Sequence, residues 1–398
     1  STAPDFLSAR YRAENRLEGR EEKTPFLTAI ARENISEASG RDEKMDAVYH
    51  LIQQRVEPGR SSGRTVYDCW YGASGNSFER TLLAQVMLEG LGIQCHPAMV
   101  YNPPEAGGLP PMPGSSLFSE TLLWIPGRDP SDSLAPGSRE DRWLSFDSRY
   151  LPPGELSASE SQSYAWVLRP GREFFTVPDT AQSTGGWNTF SINFDLNPDG
   201  SSTADGTITF HGSVRNMIRR SATNPDMRRR IVDSSLAQLL RGIQVKEAEL
   251  MGLENLKHHV AVTFQGSVPQ MLRPAGERML LSPILDHSNL ADLTPDATRE
   301  NPILFRNWVK LASEHLAFQL PEASSLTLLE VPEDVFLVSD FGVYSLNFHA
   351  DTDTLFVTRS LIIPPQRIEP DQYARFVDFC RRVDAAEKRD VVFGSGTH

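Results

Sequence analysis

The spacing of apolar residues changes along the chain, and this change limits the fold more than any other feature. Up to residue 91 they recur every three or four positions, which predicts helices. From Cys95 onward they alternate with polar residues or form short runs between turn signals, which predicts strands. The predicted early helices are Asp5–Arg20, Thr24–Asn34, Asp42–Val56 and Ser77–Leu91. The pattern therefore predicts an α+β fold with its helices first.

The segment Ser77–Leu91 is apolar on nearly every side, which is typical of a helix buried within a domain. Three short strand candidates follow it, separated by loops rich in Pro, Gly and Ser. They are Cys95–Val100, Glu120–Ile125 and Arg142–Phe146. We expect a helix-plus-antiparallel-sheet domain over residues 23–165, after an N-terminal helix or linker over residues 1–22.

Residues 166–398 are predicted to form a second, mostly antiparallel, β-rich domain with a few helices. Phe190–Leu196 and Thr207–Val214 flank the turn signal of residues 197–200, Asn-Pro-Asp-Gly. The further predicted strands are Val260–Gln265, Met279–Ser282, Val335–Ser339, Val343–His349 and Thr354–Ile363. The predicted helices are Asp226–Gly242, Pro302–Glu314 and Pro370–Lys388.

Composition excludes several classes of function. The 398 residues include 39 Lys and Arg against 52 Asp and Glu, a formal net charge of −13, which repels a polyphosphate and argues against nucleic acid as a partner. The longest apolar runs fall far short of the roughly 20 residues of a membrane span. Cys69, Cys95 and Cys380 form no zinc-like cluster, so we predict no metal and no cofactor.

Four short motifs occur in a fixed order along the first domain. They are Gly75-Asn76-Ser77-Phe78-Glu79-Arg80 at the start of the buried helix, Leu91-Gly92-Ile93 at its end, and Phe118-Ser119-Glu120 and Trp143-Leu144-Ser145-Phe146-Asp147 on later strands. In this order they resemble the transglutaminase-like superfamily, which has a papain-like core.

The resemblance implies a degenerate catalytic triad. Active members place a cysteine at the helix start, a histidine on the next strand and an aspartate after the following one. The corresponding residues here are Ser77, Glu120 and Asp147. Because an alcohol is a much weaker acid than a thiol and a carboxylate a weaker base than imidazole, we predict a pseudoenzyme rather than an enzyme.

The rest of the chain resembles a bacterial group of this superfamily in which a β-rich domain follows the core. The matching motifs include Leu151-Pro152, Thr176-Val177-Pro178 and Ile368-Glu369-Pro370. The resemblance implies a periplasmic or secreted protein of the bacterial envelope, often with a further β domain upstream of the core. We expect a binding or scaffolding module whose cleft binds a peptide or protein segment.

A different function remains open at the same residues. Ser77, Glu120 and Asp147 are also the residue types of serine-carboxyl peptidases, in which a carboxyl group activates serine at acidic pH. Each residue also has a purely structural interpretation, as a helix-capping serine, a solvated strand glutamate and an aspartate bound to a loop.

Two facing carboxyl groups would resist joint ionisation, so either one of them has a pKa well above its ordinary value or a cation lies between them, and we expect the cation. Arg80 and Arg149 are the nearest candidates in sequence. We expect Cys69, eight residues before Ser77, to lie too far away to replace it as a nucleophile, and His96 to be structural rather than a displaced base.

Overall fold

The structure is a computed structural model whose described residues fall in two compact units, Ser1–Thr184 and Gly185–His398. The described residues are 24–36, 40–60, 65–101, 118–127, 141–157, 160, 163–168, 174–176, 185–256, 258–294, 298–305, 310–321, 326–364 and 366–395. The helix expected over Asp5–Arg20 and the linker over 1–22 lie outside them. The fold class is α+β.

The helices of the first unit surround one that is almost completely buried. They are α1 (Thr24–Asn34), α2 (Arg41–Arg55), α3 (Val66–Tyr71) and α4 (Ser77–Gly90). Every side chain from Glu79 to Leu88 in α4 is buried, as its apolar pattern predicts.

A five-stranded antiparallel sheet completes the first unit, with the order β5-β4-β3-β6-β7. Its strands are β3 (His96–Tyr101), β4 (Phe118–Ile125), β5 (Arg142–Ser145), β6 (Tyr164–Val167) and β7 (Phe174–Thr176). A short parallel pair, β1 (Glu57–Pro58) and β2 (Ser74–Gly75), lies ahead of α4. The expected domain boundary after residue 165 falls inside β6, whereas the chain divides after Thr184.

An eight-stranded sheet dominates the second unit, in the order β10-β11-β9-β8-β15-β19-β18-β17. Its strands are β8 (Trp187–Leu196), β9 (Ser202–His211), β10 (Gln244–Met251), β11 (Val260–Val268), β15 (Lys310–Gln319), β17 (Val335–Ser339), β18 (Gly342–Ala350) and β19 (Thr354–Ile363). All neighbours are antiparallel except β8 and β15, which run parallel.

Smaller elements supply the rest of the second unit. The helices are α5 (Gly212–Ser221), α6 (Pro225–Leu239) and α7 (Tyr373–Glu387), and a 3₁₀ turn spans Leu290–Leu293. The remaining strands are β12 (Arg273–Ala275), β13 (Arg278–Leu281), β14 (Ile303–Phe305), β16 (Leu326–Glu330), β20 (Gln366–Ile368) and β21 (Val391–Ser395). Among the described residues, no helix combines the length and the apolarity that crossing a membrane requires.

Strand alternation sets the core of the second unit. In β8, Phe190, Ile192, Phe194 and Leu196 are buried while the residues between them face outward. Phe194 is level with Phe318 of β15, and the two rings stack with centroids 5.0 Å apart. These side chains join one hydrophobic cluster with residues from the helices and from a four-stranded sheet of order β12-β13-β21-β16.

The turn signal of residues 197–200 connects β8 to β9. The amide of Gly200 donates to the carbonyl of Asn197 at 3.0 Å, and Gly200 has φ = +87°, a conformation that favours glycine. The expected strand Thr207–Val214 ends earlier, at His211, because α5 begins at Gly212.

The helix expected over Pro302–Glu314 is wrong, since the chain there forms β14 and the start of β15. Its apolar residues fit a helical spacing as well as an extended one. In the folded unit β15 pairs with β8 on one side and β19 on the other, and this pairing with distant segments outweighs the local pattern.

Candidate functional site

Ser77 is the first residue of α4, but its neighbours cap the helix. The side chain of Asn76 accepts a hydrogen bond from the Glu79 amide at 2.8 Å, and the Glu79 carboxylate accepts one from the Asn76 amide at 3.0 Å. This reciprocal capping box satisfies two amide groups at the helix start. The hydroxyl of Ser77, which is half-buried, is therefore not the N-cap acceptor.

Glu120 lies in β4, and Asp147 follows the end of the adjacent strand β5 by two residues. The ladder between β4 and β5 pairs Leu122 with Ser145, and the same register carried two residues further makes Asp147 level with Glu120. Neighbouring strands lie about 4.8 Å apart. The structure thus brings the two carboxyl-bearing residues to one end of the sheet, with Asp147 exposed and Glu120 partly buried.

The first turns of α4 contact the same end of the sheet. The hydroxyl of Thr81 donates to the carbonyl of Thr121 at 3.4 Å, and the guanidinium of Arg80 donates to the carbonyl of Phe146 at 2.5 Å. Each carbonyl belongs to the residue next to a candidate carboxylate. Ser77 lies about one helical turn, ~5 Å, closer to the start of α4.

Arg80 holds α4 against the loop that carries Asp147. Its guanidinium is fully buried and donates to the side-chain oxygen of Gln53 as well as to Phe146. Gln53 in turn donates to the carbonyl of Ser148 at 2.9 Å. Burial lowers the pKa of Arg80 from its ordinary value because its hydrogen-bond acceptors are neutral groups.

A buried carboxyl group supports the end of β5 from another side. Glu160 accepts hydrogen bonds from the hydroxyl of Ser145 at 2.5 Å and from the amide of Ser157 at 2.6 Å. Burial raises the pKa of Glu160 above its ordinary value. Nothing in the sequence near the four motifs singled out this residue, because Glu160 approaches β5 only in the folded unit.

The two arginines expected to relieve Glu120 and Asp147 have other partners. Arg80 bonds neutral acceptors, as described above, and the guanidinium of Arg149 pairs with the carboxylate of Glu57 on the surface. Asp147 does contribute to the field at Arg80, but as a lesser influence than burial.

Cys69 lies nearer to the helix start than its position in the sequence suggests. A Cβ added to Gly75 would come within 2.5 Å of the Cys69 sulfur, so the thiol packs against the backbone two residues ahead of Ser77. The turn between α3 and α4 folds the chain back and shortens the distance. The thiol is completely buried, so a substrate cannot reach it in this arrangement.

His96 lies at the opposite end of β3. It is level with Trp124 in the ladder, whereas Glu120 is level with Val100, four residues further along. At about 3.3 Å per residue this separation is ~13 Å. Its ring stacks on Trp124 with centroids 6.0 Å apart, a contact that packs the sheet surface.

The described residues contain no group of three or more His, Cys, Asp or Glu side chains that could hold a metal ion. Cys69, Cys95 and Cys380 are buried and form no disulfide within the part of the chain that the structure describes.

Comparison with known proteins assigns part of the second unit. Residues 277–393 match a domain of unknown function with solved structure, DUF3858. This DUF3858 match begins with β13 and ends within β21. No curated protein matches the chain.

The fold is similar to a crystal structure described as a putative protease from Parabacteroides distasonis ATCC 8503. The TM-score is 0.53 at 14% sequence identity, and the alignment covers 99% of this chain. The chain spans 59% of the length of that protein. At this identity the likeness concerns the fold.

The DUF3858 region contains an arginine that, like Arg80, is fully buried. The guanidinium of Arg359 donates to Glu314 at 2.7 Å and to Glu387 at 2.8 Å, and Ser288 donates to Glu387 at 2.7 Å. All four side chains are buried. Although burial acts to lower the pKa of Arg359, the two carboxylates raise it above its ordinary value. The cluster joins β15, β19, α7 and the loop after β13, which indicates a structural role.

Proposed function

We propose that the chain is a catalytically inactive, transglutaminase-like protein that acts as a binding module. The observation that carries the proposal is the buried Arg80, which fastens α4 to the end of β5 through the carbonyl of Phe146 and the side chain of Gln53. In an active site of this kind an imidazole would mediate between the helix and the aspartate. Here a fixed guanidinium joins the two elements instead.

The side chains at the helix start argue against acyl transfer at neutral pH. The serine hydroxyl of Ser77 needs a strong base close by, and Glu120, as a carboxylate, is a weak one. The thiol of Cys69 is buried and covered by the turn ahead of α4. The remaining chemistry is recognition by the exposed carboxylate of Asp147.

We propose that a peptide segment carrying a basic side chain binds at this end of the sheet. Asp147 offers it an exposed negative charge, and Glu120 on the neighbouring strand adds a second carboxyl group at the same level. A location in the bacterial envelope is part of the same proposal and follows from the resemblance of the motifs.

The catalytic half of the proposal is tested with the full chain, a glutamine-containing peptide with a primary amine, and fluorescent casein, at pH 4 and pH 7. We expect the same background turnover for the unmodified protein and for Ser77→Ala. Turnover at pH 4 that both Ser77→Ala and Glu120→Gln abolish would instead establish the serine-carboxyl peptidase.

The binding half is tested on an array of peptides that differ in charge. Asp147→Arg should weaken retention of Lys- and Arg-containing peptides about tenfold, a loss of ~1.4 kcal/mol. Glu33→Arg, an exposed charge reversal on α1, is the matched control and should leave retention unchanged. Equal losses in the two variants would show that net charge alone is responsible and would contradict the proposed site.

A further inference from the structure

The strand β17 forms one end of the eight-stranded sheet. Within the described part of the chain it pairs with β18 alone, residue for residue from Val335 with Leu346 to Ser339 with Gly342, without a register shift. In an antiparallel ladder every second residue of such a strand directs its N–H and C=O groups away from the sheet. The edge therefore presents backbone groups that a further strand can bond.

The side chains on this edge are unusually apolar for their exposure. Phe336 is 71% exposed and Val338 67%, the highest values among the large apolar side chains of the described residues. Val338 is level with Val343 of β18, which is level with Ile362 of β19, and both are also exposed. An apolar row thus runs from the edge across three strands of one face.

The features that normally protect an edge strand are missing from β17. Proteins prevent accidental pairing with lysines, prolines, bulges or inward-pointing charges on such strands. The five residues Val-Phe-Leu-Val-Ser include none of these, and the register with β18 is regular. Adding a strand to such an edge buries apolar side chains and pairs the outward backbone N–H and C=O groups, so the addition lowers the free energy.

A groove of about 550 Å³ lies between β17 and α7, and Phe336–Ser339 line it on the side of the strand. Phe341 and Phe379 contribute apolar surface, and Arg375, Asp378 and Arg382 contribute charge. The guanidinium of Arg375 pairs with Asp340 at 2.6 Å. Arg382 has no ion-pair partner among the described residues, so the groove retains a cation for an incoming carboxylate.

A second copy of this chain fits the edge poorly. Asp334 and Asp340 flank β17. If two copies of β17 paired antiparallel over all five residues, Asp334 of each copy would face Asp340 of the other. Like charges directly opposite each other are destabilising. A second β17 would also bring no acidic residue to Arg382.

We propose that an extended segment of a different protein binds β17 as a ninth strand of the sheet. Its side chains alternate between the two faces. One set is apolar and covers Phe336 and Val338, and the other enters the groove and places a carboxylate near Arg382. This surface belongs to the second unit and is independent of the function proposed for the first.

In the experiment, the full chain is the target that selects binders from random eight-residue peptides displayed on phage. The affinity of the enriched peptides is then measured by fluorescence anisotropy. We expect enriched sequences to alternate apolar and acidic residues. Val338→Lys should weaken their binding at least about tenfold, because a lysine on an edge opposes strand addition. Met217→Lys, at a 59% exposed apolar residue elsewhere in the unit, is the matched control and should leave affinity unchanged.

Two further measurements test the mechanism directly. Selection with Arg382→Glu should replace acidic by basic residues at the same peptide positions. N-methylation of every second peptide amide removes the donors on one side of the peptide strand. Binding should be lost when the methylated amides face β17 and kept when they face away from it, without any change to the protein.

The proposal would be overturned if the selection enriched no peptide that prefers the unmodified chain to Val338→Lys. It would also be overturned if N-methylation of either set of alternate peptide amides had the same effect on binding. A dimer of the unmodified chain in analytical ultracentrifugation that Val338→Lys dissociates would overturn it too, since a second copy would then occupy the edge.

Discussion

Each unit of the molecule contains a fully buried arginine, and the two arginines have chemically different hydrogen-bond partners. Arg359 in the second unit is held between two carboxylates, Glu314 and Glu387. Arg80 in the first unit donates to a carbonyl and a side-chain amide, and its Nε atom has no hydrogen-bond partner among the described residues. Their pKa values accordingly move in opposite directions, upward for Arg359 and, because of burial, downward for Arg80.

The comparison distinguishes a buried charge that has charged partners from one that has none. Around Arg359 the charges compensate one another, so the cluster stabilises the union of four elements. Around Arg80 the charge is costly, yet it joins α4 to the loop that carries Asp147, a residue of the proposed binding site. Buried charges without a compensating partner are expected at functional or strained sites.

The largest effect is expected for Arg359→Met. It leaves Glu314 and Glu387 buried without their cation, which should lower the free energy of unfolding by about 3–5 kcal/mol. Urea denaturation of the full chain measures this cost, with hydrogen exchange of residues 284–293 as a local probe. Arg367→Met, at an exposed arginine of the same unit, is the control. A cost no greater than that of the control would refute the compensated cluster.

Arg80→Met should cost less, about 1–2 kcal/mol. It leaves the Phe146 carbonyl and Gln53 without a donor, but it also removes a charge that burial destabilises. The diagnostic comparison is Arg80→Lys, which keeps a buried charge but loses the two-armed geometry and should be less stable than Arg80→Met. If the lysine variant is the more stable one, the charge at this position is compensated after all.

A buried carboxyl group in each unit extends the comparison of the two units. Burial raises the pKa of Glu160, so the folded protein retains a proton that the unfolded chain releases, and stability falls as pH rises above the ordinary value of 4.5. Glu160→Gln lacks this titration and should gain stability relative to the unmodified protein between pH 4.5 and 7. Thermal melts across that range measure the difference.

The matched control for Glu160→Gln is Glu314→Gln. Both oxygens of Glu314 accept hydrogen bonds, from the amides of Leu285 and Asp286 and from Arg359. At Glu314 an amide nitrogen would face a backbone N–H or the guanidinium, whereas at Glu160 it can face the Ser145 hydroxyl, which can also accept, so Glu314→Gln should be destabilised at every pH. Burial raises the pKa of Glu314 as well, so the two profiles should change with pH in the same direction and differ in height. A Glu314→Gln variant as stable as Glu160→Gln at every pH would contradict the assignment.

The smallest effect is expected for Arg149→Ala. Its ion pair with Glu57 is exposed, and such pairs contribute about 0–1 kcal/mol, less at high salt. Denaturation at low and high ionic strength measures the contribution. A larger loss would mean that Arg149 supports the loop after Asp147 in the way that we assign to Arg80.

The sequence determined those features that depend on local patterns. Helix α4 is buried because its apolar residues face all directions, and β8 and β9 form a hairpin because residues 197–200 favour a tight turn. The start of α4 at Ser77, the strand that begins near Glu120 and the strand that ends before Asp147 also follow from spacing and motif order. The role of these three residues stays a prediction.

The tertiary structure alone decided what depends on contacts between distant segments. Residues 310–319 form a strand because β8 and β19 bond both of its edges, although their own spacing also suits a helix. Arg80 meets Gln53 and Phe146 across 27 and 66 residues, and Arg359 meets Glu314 across 45. Cys69 approaches Gly75 because a turn reverses the chain. Desolvation and hydrogen bonding act over a few ångströms in space, so they fix partners that separation along the chain does not reveal.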